Sequence, residues 1–246
     1  MYRALVIICL LVPMLSNAQY DSKGDIRSRF RPGGIWYLTG LRPAQPEKVR
    51  KYDRLIFDIT YNDWVGDQDP FQNKWSSIGL NTNFMFDIPM TKGNTVSFGI
   101  GAAHELKIIR HDNNLSGDDM SGSTSYFLKD SLDVFDKSKF GTNSFSIPIE
   151  FRFRKESWRH FKFHIGGRIG YQINAYSKQI TNTDEGRLVN KRVGFPDENK
   201  LIYGAHARIG LRNWALYGAY YFNPLFSNSS SVQLNHLQFG LSVSLF

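Results

Sequence analysis

Residues 143–154 read Asn-Ser-Phe-Ser-Ile-Pro-Ile-Glu-Phe-Arg-Phe-Arg. Phe145, Ile147, Ile149, Phe151 and Phe153 alternate with Ser144, Ser146, Glu150, Arg152 and Arg154. Side chains of a β-strand point alternately to opposite faces, so this stretch predicts a strand with one large apolar face and one charged face. A soluble sandwich also alternates, because its inner faces meet in a common core. It would seldom set Glu150, Arg152 and Arg154 in a row opposite four large apolar residues. A lipid-facing surface backed by a polar lumen accounts for both faces.

Seven more segments carry the same period. They are Arg54–Trp64, Trp75–Ile88, Val96–Ile109, Arg159–Tyr176, Lys200–Arg212, Trp214–Phe222 and Gln233–Phe246. Trp214–Phe222 is ambiguous in phase, since aromatics fall on both faces. The connections alternate in length. Residues 65–74, 110–142, 177–199 and 224–232 are long and polar, whereas 89–95, 156–158 and the Arg212-Asn213 pair are short. Long outer loops and short periplasmic turns are the outer-membrane pattern. The expected fold is all-β: an eight-stranded antiparallel transmembrane β-barrel over 52–246, with an even strand count that brings both barrel ends to the periplasm. Pro148 interrupts its strand, where a bulge would absorb the missing donor. Trp64, Trp75, Trp158 and Trp214 sit at strand ends and read as interfacial girdles.

Arg3 precedes an apolar run from Ala4 to Leu15, and Ser16-Asn17-Ala18 follows. A charged start, a short apolar core and a small-residue cleavage site make a secretory signal peptide over 1–18. The run is too short for a membrane helix, which needs about 20 apolar residues. Cys9, the single cysteine, lies within it, so the exported chain carries no disulfide. Export also excludes nucleic acid as a partner in practice. Between signal and barrel, residues 19–51 hold Lys23, Arg27, Arg29, Arg31, Arg42, Lys48, Arg50 and Lys51 against Asp21, Asp25 and Glu47. Ile35-Trp36-Tyr37-Leu38 is an apolar island there. This basic periplasmic N-terminal extension could rest on lipid headgroups, brace the barrel mouth, or dock a protein through Arg27, Arg29, Arg31, Trp36 and Tyr37.

The inward phase predicts a lumen polar network of Asp58, Asp87, Glu105, Lys107, Glu150, Arg152, Arg154, Arg168 and Arg208. Eight strands leave room for little beyond packed side chains, so ion pairs are expected rather than an ion path. Asn174 shares that phase. A lipid-modifying enzyme needs Ser, His and an acid together at the outer rim. His104 falls on the apolar face and Ser97 opposes it in phase, so no catalytic set forms and no cofactor is implied. Asp112, Asn114, Ser116, Gly117, Asp118 and Asp119 open like a calcium loop, but Ser123 stands where the bidentate glutamate belongs. No metal site is expected.

The signal peptide, the eight alternating segments and the terminal Phe246 resemble the small outer-membrane β-barrel proteins of the OmpX and OmpA-membrane-domain type. Size and the basic segment before the barrel look like the PorT-type barrels attached to secretion machinery. Fold-level resemblance does not establish function; a filled lumen, a distinctive basic tail and the lack of a catalytic set lead to the expectation of a non-enzymatic barrel among outer-membrane lipids, acting as an accessory or scaffold subunit of an outer-membrane assembly or secretion complex. A lipid-modifying barrel and an adhesin-like surface binder using loops 110–142 and 177–199 are the alternatives.

Overall fold

The computed structural model describes residues 53–67, 73–91, 95–127, 137–155, 161–183, 186–211 and 213–245. The signal peptide and the extension, with Arg27, Arg29, Arg31, Trp36 and Tyr37, lie outside the described residues, as do Trp158, Arg212 and Phe246.

Eleven strands run in chain order: β1 Leu55–Gly66, β2 Ile78–Pro89, β3 Val96–His111, β4 Asn114–Asp118, β5 Ser123–Phe127, β6 Lys137–Arg154, β7 Phe161–Thr183, β8 Gly186–Val193, β9 Leu201–Leu211, β10 Trp214–Pro224 and β11 Leu234–Ser244. Eight of them close a barrel in the order β1-β2-β3-β6-β7-β9-β10-β11, with β11 pairing back onto β1. Every pairing is antiparallel, and closure leaves no barrel strand with an unpaired edge. The remaining three are accessory: β4 and β5 form a hairpin, and β8 pairs with the far end of β7 beyond β9.

The faces follow the period-two reading. Phe86, Ile147, Ile149, Phe151, Ile165, Ile169 and Leu241 are exposed on the outside, while Asp58, Glu105, Glu150 and Arg152 are fully buried. An interior of carboxylates and guanidinia beneath an exterior of Phe and Ile inverts a soluble protein. Such a barrel is stable only where its surroundings are apolar and its backbone groups pair internally.

Three local expectations are corrected. Pro148 lies opposite Arg168 with the β6–β7 register unbroken through it, and no bulge forms there. The β3–β6 pairing keeps one register on either side of Gly101 and Ala102, so a local gap absorbs the missing donor. The bulge sits instead on β7: Asn143 faces Asn174 and Ser144 faces Gln172, leaving Ile173 unopposed. The extra residue changes the phase of β7. Ala175 and Ser177 become the buried positions, and Asn174 lies on the outer side rather than in the lumen. The segments read as long loops, 110–142 and 177–199, are largely strand, because β3, β6 and β7 extend past the apolar belt and carry β4–β5 and β8 with them.

Candidate functional site

The lumen is filled in tiers. At the end carrying the short turns, Arg154 donates to Asp87 (2.7 Å) and reaches Asp53 at 3.4 Å. Lys162 donates to Ser244 Oγ (2.7 Å) and lies 3.4 Å from Asp53. Arg152 joins this tier to the next: it pairs with Asp87, donates through Nε to Glu150 (2.8 Å) and caps the Asp53 carbonyl (2.9 Å). Gly99 makes room for it, since a Cβ there would stand 2.8 Å from Arg152 Nε.

In the middle tier Arg208 grips Asp58 with Nε (3.0 Å) and Nη2 (2.8 Å) and also pairs with Glu150. His206 lies 2.9 Å from Glu150, and Asn83 donates to Asp58 at 2.8 Å. In the outer tier Glu105 gathers Lys107 (2.7 Å), Arg168 (2.8 Å), the Tyr221 hydroxyl (2.6 Å) and Ser146. Lys107 Nζ also sits 4.0 Å from the Tyr221 ring centroid, and Tyr217 lies beneath both Arg208 (5.1 Å) and Arg168 (5.6 Å). Burying ions is costly unless each is paired and hydrogen-bonded. Here every carboxylate meets at least two donors, which is the arrangement that makes such burial tolerable.

Above the charges the barrel is closed by apolar packing. Trp64, Ile109, Leu115, Phe140, Phe195 and Phe226 belong to one buried cluster. Ring centroids are 5.7 Å apart for Trp64–Phe140 and Phe140–Phe195, and 5.5 Å for Phe195–Phe226. The β4–β5 hairpin lies over this plug and is tied to two other connections. Thr124 donates its hydroxyl to Asp197 (2.6 Å) and its N–H to Ser231 Oγ (2.8 Å), while Ser231 donates to Asp197. Val232 N–H returns to the Thr124 carbonyl (3.0 Å), and Asn228 donates to the Gly122 carbonyl (2.9 Å). Between plug and charges, a cavity of about 10 Å³ lies among Gln172, Ile202, Tyr221 and His236, room for roughly one water molecule.

Comparison with known protein families agrees with the barrel fold. Residues 57–230 match the family described as outer membrane protein beta-barrel domain. The chain belongs to this family. Among solved structures this outer-membrane barrel is similar to Ail, the attachment invasion locus protein of Yersinia pestis, at 12% identity and a TM-score of 0.39, covering 77% of this chain and 95% of that one. A second structure of Ail, in complex with the heparin analogue sucrose octasulfate, gives 12% identity and a TM-score of 0.34 over 77% and 96%. No curated protein matches.

The outer-membrane barrel links Asp58, Asp87, Glu150, Arg152, Arg154 and Arg208 in one set of ion pairs and Glu105, Lys107 and Arg168 in another, and His206 joins the two, accepting from Arg168 at 3.4 Å and lying 2.9 Å from Glu150. Sequence reading missed several members. Asp53 precedes β1 and carries no periodic signal, yet it anchors Arg154 and Lys162. Tyr217 and Tyr221 were hidden by the ambiguous phase of β10, where Ala215, Tyr217, Ala219 and Tyr221 point inward. Trp64 is not a girdle residue. It shares the inward parity of Asp58, Thr60 and Asn62 and is 1% exposed within the plug. Trp75 and Trp214 are exposed, as girdle positions require.

His104 faces outward, 2.7 Å from Asn143 Oδ1 and against the Phe145 ring at 4.9 Å. Among the described residues neither a serine nor a carboxylate accompanies it. The calcium-like spacing beginning at Asp112 is drawn out along the extended strand β4 instead of being wrapped into a loop.

Proposed function

We propose that this barrel works through its surfaces rather than through its lumen, as a non-enzymatic accessory or scaffold subunit of an outer-membrane assembly. One observation carries the reading: the interior is occupied by ion pairs and closed at the outer mouth by the plug and its hairpin. A filled and capped barrel is a rigid anchor, and what it offers to other molecules are its two ends. On this reading the extension 19–51, with Arg27, Arg29, Arg31, Trp36 and Tyr37, meets periplasmic partners, and the ordered outer connections meet partners outside.

Purification of tagged protein from its native membrane in gentle detergent, with mass spectrometry of co-purifying chains, tests this. Stoichiometric partners that disappear when 19–51 is deleted support it. A lone barrel under the same conditions sinks it.

A surface-binding role is the second reading, favoured by β8. Leu188, Val189 and Val193 are all exposed on this strand beyond the barrel. Deleting the β7–β8 tip without changing any surface-attachment phenotype counts against it. A lipid-modifying site at His104 would have to work from a histidine–asparagine pair alone. Unchanged glycolipid masses in a His104→Ala strain would remove it.

A further inference from the structure

Register places four cations side by side on the outside of the barrel. Arg110 on β3 lies directly opposite Lys139 on β6. Lys139 lies opposite Lys178 on β7, and Lys178 opposite Lys191 on β8. Directly paired residues share a face, and the buried neighbours Ile109, Phe140 and Ser177 fix that face as the outer one. Like charges directly opposite each other destabilise a sheet. Here that opposition is repeated across four strands, and none of the four pairs with a carboxylate among the described residues. The alternation on β8 is informative: Arg192, one residue on from Lys191, faces the β4–β5 hairpin and pairs with Asp119 at 2.8 Å. The inward cation is neutralised and the outward one is left for something else.

The row also has a definite height. From Val96 to Arg110 β3 climbs roughly 35 Å, taking about 3.3 Å per residue and a tilt of about 40°. That exceeds an apolar band of about 25 Å. Outward-facing Tyr171 and Tyr203 lie below the row, and Tyr176 lies next to it. The Tyr176 ring rests over Gly141, where a Cβ would stand 2.4 Å from the ring, and it is flanked by Lys139 (5.6 Å) and Lys191 (5.2 Å). Below the row, at the level of Tyr171 and Tyr203, an open apolar groove lined by Phe145, Ile147, Ile169, Tyr171 and Leu201 lies on the same side of the barrel. Cations at headgroup level above an apolar groove match an amphiphile with an anionic head and acyl chains.

We propose that Arg110, Lys139, Lys178 and Lys191 form a binding site for the phosphate groups of an outer-leaflet glycolipid, whose chains descend along β6 and β7. Spaced by the interstrand distance, the row is about 14 Å wide, enough for more than one phosphate. This surface is independent of the partner-binding role above.

The test uses the exported chain folded in neutral phosphatidylcholine nanodiscs containing either bisphosphorylated lipid A or its phosphate-free form. Lipid retained after a mild detergent wash is read by native mass spectrometry. The expected result is a preference for the phosphorylated form that weakens about fivefold in Lys178→Gln, taking about 1 kcal/mol per headgroup-level cation. It should vanish in the variant with all four cations changed to Gln. Lys155→Gln, at the opposite end of the barrel, removes the same charge and should leave the preference intact. Heat-modifiable electrophoretic mobility reports folding, and the single variant keeps the test decisive if the fourfold variant does not assemble. The proposal is overturned by equal retention of the two lipids, by a preference that survives all four changes, or by an equal loss in Lys155→Gln. Binding of a soluble sulfated polysaccharide without any phosphate preference among lipids would also overturn it, in favour of an extracellular polyanion.

Discussion

Arg208 on β9 donates to both carboxylate oxygens of Asp58 on β1, across the lumen and 150 residues away in sequence. Both groups are essentially inaccessible to solvent. Removing one partner of such a pair leaves an uncompensated charge, at a cost of about 3–5 kcal/mol. Arg208→Met should therefore lower unfolding stability in lipid vesicles by about that much, measured by urea titration of tryptophan fluorescence. Arg208→Met with Asp58→Leu should cost less than the two single changes added together, because they share one contact. Strict additivity would show that the pair contributes nothing as a pair.

Glu105 separates charge from hydroxyl contributions within one cluster. Glu105→Gln strips Lys107 and Arg168 of their counter-ion and should cost about 3–5 kcal/mol. Tyr221→Phe deletes the short hydrogen bond to Glu105 and the longer contacts with Arg168 and Gln238 but keeps the ring under Lys107, so about 1–3 kcal/mol is expected. The same urea titration ranks them, and a larger loss for Tyr221→Phe would contradict the network as described.

The plug and the ion pairs make separable predictions. In a variant whose other tryptophans are changed to Phe, Trp64 should resist acrylamide quenching. Replacing residues 114–127 by a short turn removes Leu115 and the hairpin, and quenching of Trp64 should then rise. Planar-bilayer conductance should stay at baseline in both proteins, because Glu105, Arg168, Arg208 and Glu150 still occupy the lumen. A steady conductance after the deletion would show that the hairpin, not the charges, closes the barrel.

The bulge at Ile173 predicts an asymmetry between two single-residue deletions. Removing Ile173 restores simple alternation between Gln172 and Ala175 and keeps both facing inward, so a folded barrel is expected. Removing Ile165, in an unbroken stretch of the same strand, shifts Lys162 and His164 relative to Arg168 and turns buried positions toward lipid. Heat-modifiable mobility should be retained in the first deletion and lost in the second.

The sequence makes the strand faces legible because lipid and lumen impose opposite chemistry at a period of two. Even the inward direction of Trp64 is contained in its parity with Asn62, although its place at a strand end suggested an interface. Pairing within the lumen is different. Nothing in the spacing of Asp58, Glu150 and Arg208 says which carboxylate Arg208 will hold, since that depends on register around a closed sheet. Tyr217 and Tyr221 blur the pattern of β10 for a related reason: they are aromatic, yet they stand among the charges, Tyr221 donating to Glu105 and Tyr217 lying beneath Arg168 and Arg208. The cation row is invisible to local reading altogether, because Arg110, Lys139, Lys178 and Lys191 become neighbours only through three successive strand pairings.

Closure of β1 by β11 carries a kinetic consequence. Thr60 and Gln238, 178 residues apart, meet across that seam, so the circle is completed only when the last strand finds the first. Contacts between such distant parts of a chain form slowly. Until they form, β1 and β11 expose long unpaired edges beside outward-facing phenylalanines, the kind of surface on which chains aggregate. The interval before closure is therefore when this chain is most exposed to aggregation.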